Sequence, residues 1–472
     1  MAQPGSALVL GTRGRWFESS LPDQISFRFG ERRLTASSRP SAIDTRVIWA
    51  IALPAMVTNV ATALIGVGDM WIVGQLGDAP TQGAVDVGAK LFAALFTVMN
   101  FLKTGTTGLV AQAGTRSGAQ EQAAVLLRGL VVGLAIAALL LLAKPLLLPA
   151  LLDALGARGE VRDAARIYAD IRYWSAPAVM ANFAIVGFLV GRRRMKTVLA
   201  IEVAYNLLNV VLGLWLALGL DRGIAGIGWS SFVAEYAKLA VCAAVVLHLA
   251  GGDLREALRA RVHLSLASLR PFLSVNRDLF LRTVVLMVAI SALTRLGAER
   301  SAVVLAANGI LYQLFVFSAL LLDGFENAAQ VLNGERHGED DRAGFVAYVR
   351  AILWRGFAVA AGLAAVFGVA GEAILASFAA TGAVAREAQS LLPWLIVIPF
   401  AGVASFVLDG VFVGASWTRA LLLSMAGAAA GYALLLWLTW PLGNHGLWLS
   451  FVLFLVLRTG LQLALMPRLL RA

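Results

Sequence analysis

The sequence predicts an all-α integral membrane protein with twelve transmembrane helices in two pseudo-symmetric six-helix bundles, and three observations carry that prediction. Hydrophobic residues make up 59% of the chain and charged residues only 14%, with a mean hydropathy of +0.79, outside the range of soluble domains. Apolar stretches long enough to cross about 30 Å of hydrocarbon recur along nearly the whole length. The second half also repeats the first at an offset of about 222 residues.

The apolar runs lie near residues 47–76, 87–113, 123–152, 167–191, 197–220 and 224–250, then 272–296, 301–333, 345–378, 388–414, 418–441 and 445–467. Their continuity predicts helices, since the strands of a membrane barrel alternate over short segments. Even-numbered connections, such as the one holding Arg192, Arg193, Arg194 and Lys196, carry more basic residues than odd-numbered ones. Basic connections stay in the cytoplasm, so both termini are expected there. The net charge of +11 then reads as topology and contact with anionic lipid, and not as nucleic-acid binding.

Residues 1–42 lack the apolar core of a signal peptide and are expected to be disordered or to precede the true start. The stretch RGRWFESS resembles a translated transfer-RNA T-loop, which favours a later start. The single Cys242 excludes a disulfide framework, and no clustered His/Cys spacing, phosphate-binding loop or nucleophile elbow suggests an enzyme or a cofactor.

Sliding the chain on itself brings Pro177 over Pro399, Gly187–Gly191 over Gly410–Gly414, Leu214-Trp215-Leu216 over Leu436-Trp437-Leu438, and Ala111-Gln112 over Ala329-Gln330. The unit is six helices, and an even number preserves its orientation. Parallel repeats of this kind form two bundles about an axis along the membrane normal, with the substrate between or inside them. The expected bundles are 43–250 and 272–472, joined by a cytoplasmic linker at 251–271.

Polar residues inside apolar runs are the functional candidates. Asp69 is the one ionisable residue in VIWAIALPAMVTNVATALIGVGDMWIVGQL, where a charge costs roughly 2.5 to 3.5 kcal/mol on insertion scales. Such a carboxylate can exchange a proton or hold Na⁺, while Pro54 on the same helix permits a bend. Glu202, Asn206 and Asn209, at i, i+4 and i+7, share a face. Ser231 and Glu235 add to that column, and Lys238, three residues beyond Glu235, is placed to neutralise it. Asp323, Glu326, Asn327 and Gln330 form a second stripe, read as a polar site or gate near the cytoplasmic surface. Asp409 stands alone in ASFVLDGVFVG, with Arg282 or Arg295 placed to pair with it or with Asp323, and Lys103 is read either as snorkelling, the commoner fate, or as a counter-ion.

Taken together, LP at 53–54, GVGDMWIVGQLG around Asp69, FLKTGTTGLVAQAG at 101–114, NLLNVVL at 206–212, LLDGFENAAQ at 321–330, FVLDGVFVGA at 406–415 and GNHGLWLS at 443–450 resemble the multidrug and toxic compound extrusion (MATE) transporters, in their DinF branch. The resemblance implies two six-helix bundles in a V shape and a secondary exporter of lipophilic or cationic organic compounds, coupled to H⁺ in preference to Na⁺, working by alternating access. It implies a monomer in a bacterial inner membrane, without a cofactor. It gives Asp69 the coupling cation, Pro54 the helix bend, and Asn209 a place in the same network. Where many relatives have an aspartate four residues after that asparagine, this chain has Gly213, and Glu202 on the same face is the candidate substitute. A flippase for lipid-linked saccharides is the alternative within the same superfamily, expected to need a cationic cavity. A passive channel is the other reading.

Overall fold

The computed structural model describes residues 43–75, 79–260 and 265–471, with the side chains of residues 63–82 and Leu266 outside the description. No strand occurs among the described residues. Eleven helices are long and apolar enough to span a membrane, and a bent pair makes a twelfth span. This agrees with twelve apolar runs.

In chain order the helices are α1 (Thr45–Gln75), α2 (Ala79–Met99), α3 (Phe101–Arg116), α4 (Ala119–Ala154), α5 (Gly159–Tyr173), α6 (Ala176–Gly191), α7 (Met195–Gly213), α8 (Gly223–Arg259) and α9 (Leu266–Arg300). They continue as α10 (Ala302–Gly338), α11 (Arg342–Phe378), α12 (Gly382–Ser390), α13 (Leu392–Gly414), α14 (Thr418–Leu438) and α15 (Gly443–Leu469). Several spans are broken in ways that apolar runs do not reveal. The second is divided at Asn100 between α2 and α3. The fourth is α5 and α6, bent by 52°. A π-helical turn, Leu214–Gly219, extends α7.

The expected linker at 251–271 is mostly helix. After non-helical backbone at Ala250, α8 continues to Arg259, and α9 begins at Leu266, where the Ser265 side chain accepts from the backbone N–H of Ser268 as an N-cap.

The sequence repeat has a backbone counterpart. Positive φ occurs at Gly118 and Asp340, at Arg193 and Ser416, and at Asp221 and Gly443, three pairs of turns separated by 222 or 223 residues. These turns recur although glycine occupies only one member of two of the pairs, so the shared connection geometry, and not the residue type, is what repeats.

Elements from the two halves meet where α3, α10 and α13 finish. A Cβ on Gly108 would come within 2.5 Å of the Val413 carbonyl oxygen, and one on Gly338 within 2.6 Å of the Gln112 carbonyl oxygen, so these glycines permit backbone-to-backbone approach. On the other side of α10, Gly324 abuts Ala52 and Met56 of α1, and Trp49 packs edge-on against Phe325 at 5.4 Å.

Candidate functional site

Asp69 stands on α1, and its side chain lies outside the described residues. Pro54 lies within α1, which runs through it as one helix. The Thr58 hydroxyl donates to the Pro54 carbonyl at 2.7 Å and the Thr62 hydroxyl to the Thr58 carbonyl at 2.9 Å, the kind of back-bonding that accompanies helix bending. Asn59 donates to the Leu320 carbonyl at 3.1 Å and so ties α1 to α10.

The polar column on α7 meets α8 and α6. Lys238 Nζ lies 2.7 Å from Glu202 Oε1 and 2.9 Å from Oε2, and 4.7 Å from the centre of the Tyr205 ring. Glu235 accepts from the Tyr205 hydroxyl at 2.7 Å and from Asn182 Nδ2 at 3.1 Å. The expected neutralisation of Glu235 by Lys238 is therefore corrected. Lys238 reaches across to the neighbouring helix, and Glu235 is held by neutral donors. Asn209 and Ser231 are buried beside this network. Asn206 Nδ2 and Oδ1 and Ser231 Oγ have no hydrogen-bond partner among the described residues, leaving unused polar capacity on this face.

The second half has an ion cluster. Asp409 on α13 is 1% exposed and accepts from Arg458 Nη2 at 2.6 Å, from Gln462 Nε2 at 2.6 Å, and from Arg282. One carboxylate thus joins α9, α13 and α15. Arg282 was expected from the sequence. Arg458 and Gln462 were not, although Arg458 is a lone cation in the apolar run FVLFLVLRTGLQLALM, the same signal that picked out Asp69.

Asp323 and Glu326 on α10 are half-buried, and both feel the charges of Arg282, Asp409 and Arg458. Asn327 turns back to the Asp323 carbonyl at 2.9 Å. Gln330 is buried and donates to the Thr104 carbonyl of α3, which makes it a bond between halves. Lys103, one residue earlier on α3, interacts electrostatically with Glu202, Glu326 and Asp323. Of the two readings of Lys103 from the sequence, these neighbours favour the counter-ion over snorkelling. The ammonium points inward, among charges from both halves.

Further bonds close the end where these helices finish. Gln112 Nε2 donates to the Gly414 carbonyl at 2.5 Å and to Ser416 Oγ at 2.8 Å. The Thr115 hydroxyl donates to the Glu335 carbonyl at 3.0 Å. Arg193 Nε donates to Glu335 Oε1 at 2.6 Å, and its Nη2 donates to Oε2, a bidentate pair. Burial alone would lower the Arg193 pKa, but the hydrogen bond and charge of Glu335 outweigh it and hold the guanidinium above its ordinary value.

The MatE family model matches residues 54–215 and again 278–437, one match in each half. The chain belongs to this family. DNA damage-inducible protein F of Escherichia coli K12, at 35% identity over 89% of this chain and 91% of its own length, places it in the DinF branch of the MATE transporters. Protein DETOXIFICATION 44, chloroplastic, of Arabidopsis thaliana is 26% identical over 87% of this chain and 80% of its own length. A multidrug resistance MATE family transporter of the MOP superfamily, solved in an outward-facing conformation, matches in fold with a TM-score of 0.81 at 17% identity, covering 90% of this chain and 96% of that one.

Membership makes this MATE chain a multi-span membrane transporter and not an enzyme. The first matched segment holds the polar residues of α7, and the second holds Asp409 and Arg282, while Arg458 and Gln462 lie beyond it. Among the described residues, no group of three or more His, Cys, Asp or Glu side chains could hold a metal ion. The Na⁺ possibility at Asp69 lies outside them.

Proposed function

We propose that this transporter exports small organic compounds across a bacterial inner membrane by alternating access between bundles 43–250 and 272–472. Inward movement of a cation drives it, H⁺ in preference to Na⁺. The observation that supports this reading is the arrangement of the halves. Charged groups from both lie near one another at Lys103, Asp323 and Glu326, within apolar spans, while glycine contacts and the Arg193–Glu335 pair close the end where α3, α10 and α13 finish. By the distribution of basic residues that end is cytoplasmic, so the closure corresponds to an outward-facing state with both termini inside.

Asp69 carries the coupling cation, with Asn209 of α7 in its network and Pro54 providing the bend by which α1 responds. Glu202 already holds Lys238, so it fixes α7 against α8 and the coupling rests on Asp69. Protonation of Asp69 from outside favours the state that releases substrate, and its differential affinity for the two states drives the exchange. One proton moving inward through 100 mV supplies about 2.3 kcal/mol. The interior cations Lys238, Arg282 and Arg458 are each paired to a carboxylate, and Lys103 has Glu202, Glu326 and Asp323 as neighbouring charges, unlike the open cationic cradle expected of a lipid-saccharide flippase. The test is efflux by purified protein in proteoliposomes under imposed proton or sodium gradients. Efflux that ignores both gradients would overturn the reading.

A further inference from the structure

An apolar groove of about 620 Å³ is lined by Leu296 of α9, Leu436 and Trp437 of α14, and Trp440 and Pro441 of the turn that follows. It lies at the end of the molecule opposite the closure. The helix α10 starts just after α9 ends and runs 37 residues, about 55 Å, before it finishes at the closed end. Trp437 is 73% exposed and Trp440 44%, and indole rings of this kind collect at a membrane–water boundary. Apolar walls accept any acyl chain. What distinguishes this groove is the cation beside it.

Arg300 stands one turn beyond Leu296, at the end of α9. Its guanidinium lies 4.3 Å from the centre of the Trp440 ring, and Nη2 donates to the Trp440 carbonyl at 3.2 Å. Stacking on the indole holds the guanidinium against the groove wall. Its Nε is buried and has no hydrogen-bond partner among the described residues. No carboxylate among them pairs with Arg300, and Glu299, next along the chain, is turned to Arg295 at 3.4 Å. Lys238, Arg282 and Arg458, by contrast, each hold a carboxylate. The repeat does not require this cation either. The offset that lays Leu76-Gly77 over Leu296-Gly297 puts Pro80 opposite Arg300, although Trp215 repeats Trp437. A guanidinium with unused N–H groups matches phosphate oxygens. An uncharged chain fills the groove and leaves Arg300 unmatched, while free phosphate meets Arg300 and leaves the groove empty. A phospholipid satisfies both. A zwitterionic headgroup brings its ammonium toward Arg300, so an anionic one is the better complement.

We propose that this groove is a specific site for one anionic phospholipid, with the phosphate on Arg300 and an acyl chain along Leu296, Leu436 and Trp437. The site is separate from the export reading and does not depend on it. The test uses full-length protein in detergent micelles, with native mass spectrometry counting the lipid retained. Phosphatidylglycerol and phosphatidylethanolamine of identical chains compete at equal concentration. Wild type is expected to retain phosphatidylglycerol with about tenfold preference in the first lipid bound. Arg300→Gln should bring that ratio close to one, and Arg300→Lys, which keeps the charge but loses the planar fork, should preserve part of it. Arg158→Gln removes an exposed charge from the first half and should leave the ratio at its wild-type value, which separates a site from net charge. Leu436→Trp narrows the groove and should lower retention of both lipids several-fold, and inorganic phosphate should displace neither. A ratio unmoved by Arg300→Gln, a ratio lowered equally by Arg158→Gln, or displacement of phosphatidylglycerol by inorganic phosphate would overturn the proposal. Should Arg300→Gln fail to fold, Leu436→Trp decides alone, and lipid retained there as in wild type would overturn it.

Discussion

Removing Asp409 should cost this protein stability before it costs transport. The carboxylate is 1% exposed and is shared by Arg458, whose side chain is 3% exposed, and Arg282, at 18%. Asp409→Ala leaves a buried guanidinium without its counter-charge, a loss of roughly 3 to 5 kcal/mol for breaking one side of a buried pair. Replacing both members, Asp409→Leu with Arg458→Met, removes the desolvated charges together. That exchange is often close to neutral, so the double variant should recover most of the loss. Arg282 then retains Asp323 and Glu326 as neighbouring charges. The assay is thermal unfolding in detergent followed by tryptophan fluorescence. A single variant that melts with wild type, or a double variant as unstable as the single one, would refute the assignment of Asp409 as the structural tie of α9, α13 and α15.

Other consequences can be measured directly. Arg193→Ala should loosen the α6–α7 turn from α10. The pair is worth up to about 1 kcal/mol with Arg193 partly exposed, so labelling of a cysteine placed at Ser416 by an impermeant maleimide should rise by a few-fold. Because the folded-state pKa of Arg193 is raised, its contribution is present throughout the lower pH range and is lost only above the ordinary arginine range. Labelling of wild type should therefore not increase on the arginine's account between about pH 6 and 9, and a rise abolished by Arg193→Lys would contradict this. Gly108→Val must push α3 off the Val413 carbonyl and should destabilise by about 1 to 3 kcal/mol, read as a lower melting temperature. Lys238→Met strands Glu202 and should destabilise more than Lys238→Met with Glu202→Gln. Glu202→Gln alone should leave proton dependence unchanged, and its loss would make Glu202 a coupling residue.

The spans were legible because crossing hydrocarbon imposes a continuous apolar run, and the repeat was legible because the turns and small residues at α3, α6, α10 and α13 are matched by position. The bend of the α5–α6 span left no such trace, since an apolar run reads the same through a change of direction. Within the site, isolated ionisable residues announced themselves, but pairing did not. Glu235 and Lys238 are neighbours on one helix, yet each bonds across to others because side-chain direction and interhelical packing decide partners. For Lys103 the sequence allowed snorkelling or a counter-ion role. Only the proximity of α3 and α10 shows that its charge is directed to Asp323 and Glu326.

The central claim is that Asp69 couples cation entry to export. The direct measurement is dye efflux from proteoliposomes holding wild type or Asp69→Asn under an imposed proton gradient, with a sodium gradient as the parallel arm. The account predicts proton-driven efflux in wild type and its loss in Asp69→Asn, with little response of either to sodium. Undiminished gradient-driven efflux by Asp69→Asn would contradict it.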